Sequence, residues 1–290
     1  MRRIVRESKF RHIYGQPNPK DQQYDGVTAT NSRLDGNICA VNRKYIAVVL
    51  TSTGSGFFTV LSRSKPGRVE KVFKCLANNC QEVVDLNWDR RNPNRIVSGC
   101  EDGGYYIWVI PEGGLTDDFD QYECLPKPSQ RRVVQSEWHP SAEDILIGIN
   151  IDSINIFNLQ TFECIRTIET YSIGGMDGNA LYSLSLNYNG SKAIASFKDK
   201  KARVFDLISG DMIQEFSTHE GSRAIRVAWL ADKDSEPYVV TTGATKMSGR
   251  QLSVWKLADA KDPLCTETLD NASSALFVNY DTDTKLITIY

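Results

Sequence analysis

The chain of 290 residues contains no run of about 18 or more apolar residues, the length a membrane-spanning helix needs. Its first residues lack the apolar stretch of a secretory signal, so a cytoplasmic setting is expected. Seven cysteines, at positions 39, 75, 80, 100, 124, 164 and 265, show no paired C-x-x-C spacing. Neither a zinc site nor a disulfide frame is therefore expected, and a reducing compartment is. Histidines are scarce, at 12, 139 and 219 only. His12 and His219 have no recognisable nucleophile partner, and His139 stands before Pro140 in a turn. There is no phosphate-binding P-loop, no G-x-S-x-G and no H-E-x-x-H. The stretch TGSGFF (53–58) links two strand patterns and reads as a hairpin turn. These absences predict no catalytic residue, no cofactor and no metal, and hence no enzyme. Sustained helical periodicity is also missing, which argues against α/β folds. Asn189-Gly-Ser191 and Asn271-Ala-Ser273 match the glycosylation pattern and read as turn sequences.

What is present is ordinary in bulk and uneven in detail. Hydrophobic residues make up 41% and charged residues 24%, as in a soluble globular protein. The net charge is −2, yet Arg2, Arg3, Arg6, Lys9 and Arg11 crowd the N-terminus with only Glu7 to oppose them. Such a cluster suits an acidic partner surface better than a core. Ile4, Val5, Phe10, Ile13 and Tyr14 lie among the charges, and a free tail has no use for them. In SKFRH, strand alternation puts Lys9 and Arg11 on one face, Phe10 and His12 on the other. That pattern fits a basic contact face anchored by Phe10, and it equally fits an edge strand blunted by charge.

A repeat of about fifty residues organises the rest. VVDLNW (83–88), VVQSEW (133–138), LYSLSLNY (181–188) and IRVAW (225–229) form one series, with Trp88, Trp138 and Tyr188 fifty residues apart. YYIW (105–108), INIF (154–157), ARVF (202–205) and LSVW (252–255) form a second. RIVSG (95–99), ILIGI (145–149), AIASF (193–197) and YVVTTG (238–243) lie between them. A weaker fourth pattern follows in ECIRTIE (163–169) and MIQEFS (212–217). Four short strands per unit, with period-2 alternation and turn residues between, predict β-propeller blades. One twisted sheet cannot cover its own faces, so each blade must pack on its neighbours. Trp88, Trp138, Trp229 and the Trp108 series are expected in the core.

Turn chemistry agrees with a WD-repeat propeller. Asp102, Asp152 and Asp199 precede Trp108, Phe157 and Phe205 of the third strand pattern by six, five and six residues, in the turn where a carboxylate can accept backbone N–H bonds. The repeats are degenerate, however. The Gly-His pair that usually opens a unit is missing at Asn78-Asn79 and Pro128-Ser129, and His219 is its one plausible survivor. Trp-Asp becomes Trp108-Val109, Phe157-Asn158, Phe205-Asp206 and Trp255-Lys256. The buried Asp–His–Ser–Trp network of such folds is expected to be largely absent, with stability lower than in a well-formed WD propeller.

More specific stretches run the length of the chain: VRESKFRHIYGQP (5–17), DQQYD (21–25), GRVEK (67–71), IVSGCEDGGYYIWVIPEGGLT (96–116), RRVVQSEWHPSA (131–142), THEGSRAIRVAWL (218–230), TTGATKMSGRQLSVW (241–255) and LDNASSALFVNYDTDT (269–284). In these the chain resembles the coronins, the actin-binding WD-repeat propellers, and among them the short type. The resemblance implies an all-β, seven-bladed propeller of which about five to six blades are present here. Residues 1–37 are then an N-terminal basic segment and strand, and 38–290 the blades, incomplete at the C-terminus. The chain stops inside the strand pattern LITIY, before the closing blade, C-terminal extension and coiled coil of the family. An open ring exposes strand edges, and oligomerisation is not expected without the coiled coil.

The resemblance also implies a function: an actin-filament-binding regulator in the cytoplasm and cytoskeleton, acting through an electrostatic propeller surface. Filamentous actin is the expected partner, with the Arp2/3 complex and acidic lipids as further ones and no nucleic acid. Candidate contact residues are Arg6, Lys9, Arg11, Lys246 and Arg250. One departure weakens the case. After DQQYDGV, where the family places an actin-contacting arginine, stands Thr28. Arg6, Lys9, Arg11 and Arg33 are the nearest cations left to compensate. A WD scaffold for other proteins or acidic lipids, with weakened actin binding, is the alternative. Arg131-Arg132 and the run Lys198, Lys200, Lys201 and Arg203 read as solvated turns.

Overall fold

A computed structural model describes residues 16–32, 36–51, 56–77, 80–173, 178–230 and 237–290. Apart from two three-residue 3-10 helices, Lys20–Gln22 and Leu257–Asp259, the elements given for these residues are β-strands. Blade 1 comprises Cys39–Val41, Tyr45–Val49, Phe57–Ser62 and Cys75–Leu76. Blade 2 comprises Val83–Trp88, Arg95–Cys100, Tyr105–Val109 and Tyr122–Cys124. Blade 3 comprises Val133–Trp138, Ile145–Asn150, Ser153–Asn158 and Glu163–Glu169. Blade 4 comprises Leu181–Leu186, Lys192–Phe197, Lys201–Asp206 and Met212–Ser217. Blade 5 comprises Arg226–Leu230, Tyr238–Ala244, Arg250–Lys256 and Cys265–Asp270. Each is a four-stranded antiparallel meander. A two-stranded hairpin, Val278–Asp281 with Leu286–Ile289, begins a sixth unit.

The hydrophobic core lies between blades rather than within them. One cluster joins Tyr45, Phe58 and Val60 of blade 1 to Leu86, Trp88 and Trp108 of blade 2. The next joins Val97 and Tyr105 to Val133, Trp138 and Phe157. Two more bridge blades 3 to 4 and 4 to 5. The tryptophans and phenylalanines of the second sequence series are buried, as their spacing predicts. Period-2 alternation is muted, because neighbouring blades cover both faces of the middle strands. Ile96 through Cys100 are buried without a break. The outermost strand of blade 5, Cys265–Asp270, is exposed throughout. Tyr188 lies beyond the first strand of blade 4 and is exposed.

Close approach between blades has a sequence cause at Gly148. A Cβ there would sit 2.5 Å from the Tyr105 ring, so only glycine lets blades 2 and 3 meet. Polar pins fix the stagger. The Trp88 indole donates to the Ala40 carbonyl at 3.0 Å, and the Trp138 indole donates to Asn87 at 3.0 Å. Asp85 is fully buried and accepts from the Asn37 N–H, the Ser136 N–H and the Ser136 hydroxyl at 3.0, 2.9 and 2.6 Å. Burial pushes its carboxyl up to about 6, against the pull of these donors.

Several expectations need correction. Cys80, just before blade 2, and Cys100, at the end of its second strand, form a disulfide, and both residues are buried. Arg203 is not a solvated turn residue: its side chain has no exposed surface, and it pairs with Asp199 and, at 3.0 Å, with Glu215. The strand that carries it is covered on both sides, so its charge is retained only because two carboxylates meet it. The buried network is also less depleted than its motifs suggest. In blade 5, His219 Nε2 lies 2.9 Å from Thr241 Oγ1, which also accepts from the Trp255 indole at 2.8 Å. Gly243 makes room for the His219 ring, which a Cβ would meet at 2.5 Å. Blade 2 keeps the Trp108 indole to Ser98 bond at 2.9 Å. Threonine or serine stands in, and His219 survives. Asp102 and Asp199 accept backbone N–H bonds from Gly104 and Lys201, as expected. The Asp152 carboxylate is spent instead on the Ser129 and Ser153 hydroxyls.

Candidate functional site

Besides a cavity of about 750 Å³ lined by residues of several blades, among them Trp88, Trp138, Arg226 and Tyr280, the described surface offers charge. Residues 63–74 connect the third and fourth strands of blade 1 and carry Arg63, Lys65, Arg68, Lys71 and Lys74 against one carboxylate, Glu70. The connection leaves the blade through a turn closed by Lys65 N–H to the Ser62 carbonyl at 3.2 Å. It then pairs with the incoming N-terminal segment: Tyr24–Asp25 runs parallel to Gly67–Arg68, with Gly67 N–H to Gln23 at 2.7 Å and Val69 N–H to Asp25 at 2.8 Å. Tyr24 adds a hydroxyl bond to the Ser62 carbonyl at 2.8 Å. Arg63, Lys65, Arg68 and Lys71 are exposed. Arg63 bonds the Asn42 carbonyl at 3.0 Å, and Lys71 and Lys74 lie over the Phe73 and Phe57 rings. No ion pair among the described residues neutralises Lys65 or Arg68.

A surface of opposite sign abuts it. The connection between the third and fourth strands of blade 2 holds Glu112, Asp117, Asp118 and Asp120 and no cation, and Glu123 follows in the fourth strand. It reaches across to blade 1, where Phe119 forms a parallel bridge with Cys75. Phe119 N–H donates to Lys74 at 2.7 Å, Leu76 N–H to Phe119 at 2.8 Å, and Lys74 N–H to the Asp118 carboxylate at 2.9 Å. Glu112 pairs with Lys44 at 2.7 Å, and that hydrogen bond draws its carboxyl below the usual range.

The residues singled out in the sequence distribute unevenly. Arg6, Lys9, Arg11 and Arg33 lie outside the described residues. Thr28 is exposed, and its carbonyl accepts from Thr51 N–H beside the bridge between Ala29 and Leu50. Lys246 and Arg250 flank the turn between the second and third strands of blade 5. Lys246 projects into solvent with Met247 and makes a 3.3 Å pair with Glu220. The Arg250 guanidinium is committed to both Asp270 oxygens and to the Ser274 hydroxyl at 2.9 Å. Those bonds hold the Asp270 carboxyl down at about 2. Arg131 lies over the Tyr171 ring and Arg132 beside Glu101, so neither is merely solvated.

Nothing in this surface assembles a nucleophile with a base. Among the described residues no three His, Cys, Asp or Glu side chains converge on a metal-sized site, and no helix is long and apolar enough to cross a membrane. The basic connection of blade 1 is the feature sequence reasoning missed. Its signal is there to be found, as five cations in twelve residues on a chain whose net charge is −2.

Comparison with known proteins follows the same lines. A family model described as a domain of unknown function, DUF1899, matches residues 3–68. Human coronin-2A is 35% identical over 283 residues, 97% of this chain, and bovine coronin-2A is 33% identical over the same span. The chain spans about half the length, 53%, of these curated relatives. The crystal structure of the WD40 domain of Toxoplasma gondii coronin superposes with a TM-score of 0.83 over 92% of this chain and 67% of that one, at 24% identity, a likeness of fold. With similarity along nearly its whole length and a bladed all-β architecture, the chain belongs to the coronin family of WD-repeat proteins.

Proposed function

We propose that the chain binds the side of actin filaments through a positively charged surface. That surface comprises the N-terminal segment with Arg6, Lys9 and Arg11, the basic connection of blade 1, and the blade 5 turn bearing Lys246. The observation that carries this reading is the docking of residues 23–25 along Gly67–Val69. It sets the chain leading out of the basic N-terminus beside Arg63, Lys65 and Arg68, which supports one continuous electrostatic face. In this arrangement Arg250 acts by fixing the turn through Asp270, and Lys246 makes the contact. The role is that of a binding scaffold in the cytoskeleton, not of an enzyme. A contact with the Arp2/3 complex is proposed on family membership alone.

Cosedimentation with filamentous actin tests the proposal. Pelleting should fall as salt rises from about 50 to about 300 mM, since the screening length for exposed charges shrinks from about 14 Å to about 6 Å. Lys9→Glu with Arg11→Glu, and separately Arg63→Glu with Arg68→Glu, should each weaken it. Pelleting indifferent to salt and to both pairs sinks the reading. The exposed, uncharged Thr28 favours a second reading, in which acidic lipids or other proteins are bound instead. Anionic liposomes that retain the chain when filaments do not would select it.

A further inference from the structure

The blade 1 and blade 2 connections form a bipolar rim, and we propose that this rim pairs with a second copy of the chain. Arg63, Lys65, Arg68, Lys71 and Lys74 stand on one side, Glu112, Asp117, Asp118, Asp120 and Glu123 on the other. The two strips meet where Lys74 N–H bonds Asp118 and Phe119 bridges Cys75. The exposed members include Lys65, Arg68, Asp117, Asp120 and Glu123. Within the described residues none of these five makes an ion pair; Glu112 alone of the acidic strip is taken, by Lys44. The side-by-side packing of the strips is held by backbone bonds, which leaves the charges pointing outward for another surface.

The occupant follows from the arrangement of sign. A partner of one sign gains from one strip and is repelled by the other. A second copy related by a two-fold axis lays its acidic strip on this basic one and its basic strip on this acidic one, so every contact is attractive twice over. With Glu70 counted against the five cations and Lys44 against the five carboxylates, the net charges match, four and four. Because the rim is wet, such pairing is fast and weak, and it is steered by charge rather than by apolar burial. It runs against the sequence expectation that oligomerisation needs a coiled coil. It does not depend on the actin reading, and it masks part of the same basic surface.

Sedimentation velocity on the 290-residue chain, with no filament present, tests it. Association should weaken at least about tenfold between about 50 and about 300 mM salt. Lys65→Glu with Arg68→Glu, and separately Asp117→Lys with Asp120→Lys, should each leave a monomer at low salt. Only exposed side chains change, and the wild-type salt series stands without them. The two charge-reversed chains mixed in equal amounts should form a mixed dimer. A wild-type chain that stays monomeric at low salt overturns the proposal. So does association that survives both reversals, or reversed chains that remain apart on mixing.

Discussion

Blades 4 and 5 solve one problem with two chemistries. Each must tie its strands together at the end where the chain enters the next turn. Blade 5 does so with neutral groups, the His219 ring and the Trp255 indole sharing the Thr241 hydroxyl. Blade 4 uses ions, a buried Arg203 between Asp199 and Glu215. The neutral solution costs little desolvation and is worth what its hydrogen bonds are worth. The ionic one carries a large desolvation cost and holds only while both partners remain. A repeat fold therefore tolerates loss of its motif residues provided each blade keeps some closed network, and motif degeneracy is a poor measure of how well a blade is tied.

Breaking blade 4 should give the largest effect. Arg203→Ala leaves Asp199 with an unpaired, largely buried charge and should cost about 3–5 kcal/mol in a denaturant titration. Replacing Arg203, Asp199 and Glu215 together by apolar residues should recover much of that loss; if it does not, the ions contribute more than pairing. Thr241→Val is smaller. It keeps the shape, removes the hydroxyl that His219 and Trp255 share, and should cost about 1–3 kcal/mol.

Acid weakens both blades, and separates them by window. Burial lowers the pKa of His219 below its ordinary 6.5, so the unfolded chain takes up the proton first. Stability from blade 5 is complete above 6.5 and declines as pH falls below it. For Asp199, burial works to raise the pKa, but the Arg203 bonds win and hold it below 3.8; its contribution is lost only beneath that value. Asp85, at about 6, acts the other way: the folded form protonates first, which favours folding as pH drops through that point. The slope due to His219 is therefore read as the difference between wild type and His219→Gln from about pH 7.5 to about pH 5. Equal slopes would remove His219 from the comparison. The smallest effect belongs to Lys246→Ala, whose pair with Glu220 is open to solvent and should leave the unfolding midpoint where it was.

Much of this architecture is legible in the chain itself. The weak fourth patterns ECIRTIE and MIQEFS coincide with the strands Glu163–Glu169 and Met212–Ser217. They are readable because a repeat lends each unit the pattern of its neighbours. What escapes is whatever depends on contact between units. Cys80 and Cys100 share no motif and meet only because the blade 2 sheet brings them together. Arg203 looks like its lysine neighbours in sequence and differs only in facing a covered surface. Arg250 looks like a contact residue until Asp270 is seen to take its charge. The basic strip of blade 1 runs through GRVEK and beyond it on both sides, and escapes notice because a motif directs attention to identity where the physical signal is charge density.

The indole bonds of Trp88 and Trp138 both point backward along the chain, to Ala40 and Asn87. Each indole thus finds its acceptor in a blade that precedes it in the chain, and that bond needs nothing still to come. The handover stops at the next unit, where Tyr188 stands exposed in place of a tryptophan. Through those two bonds blades 2 and 3 each use their predecessor as a gauge for their own position.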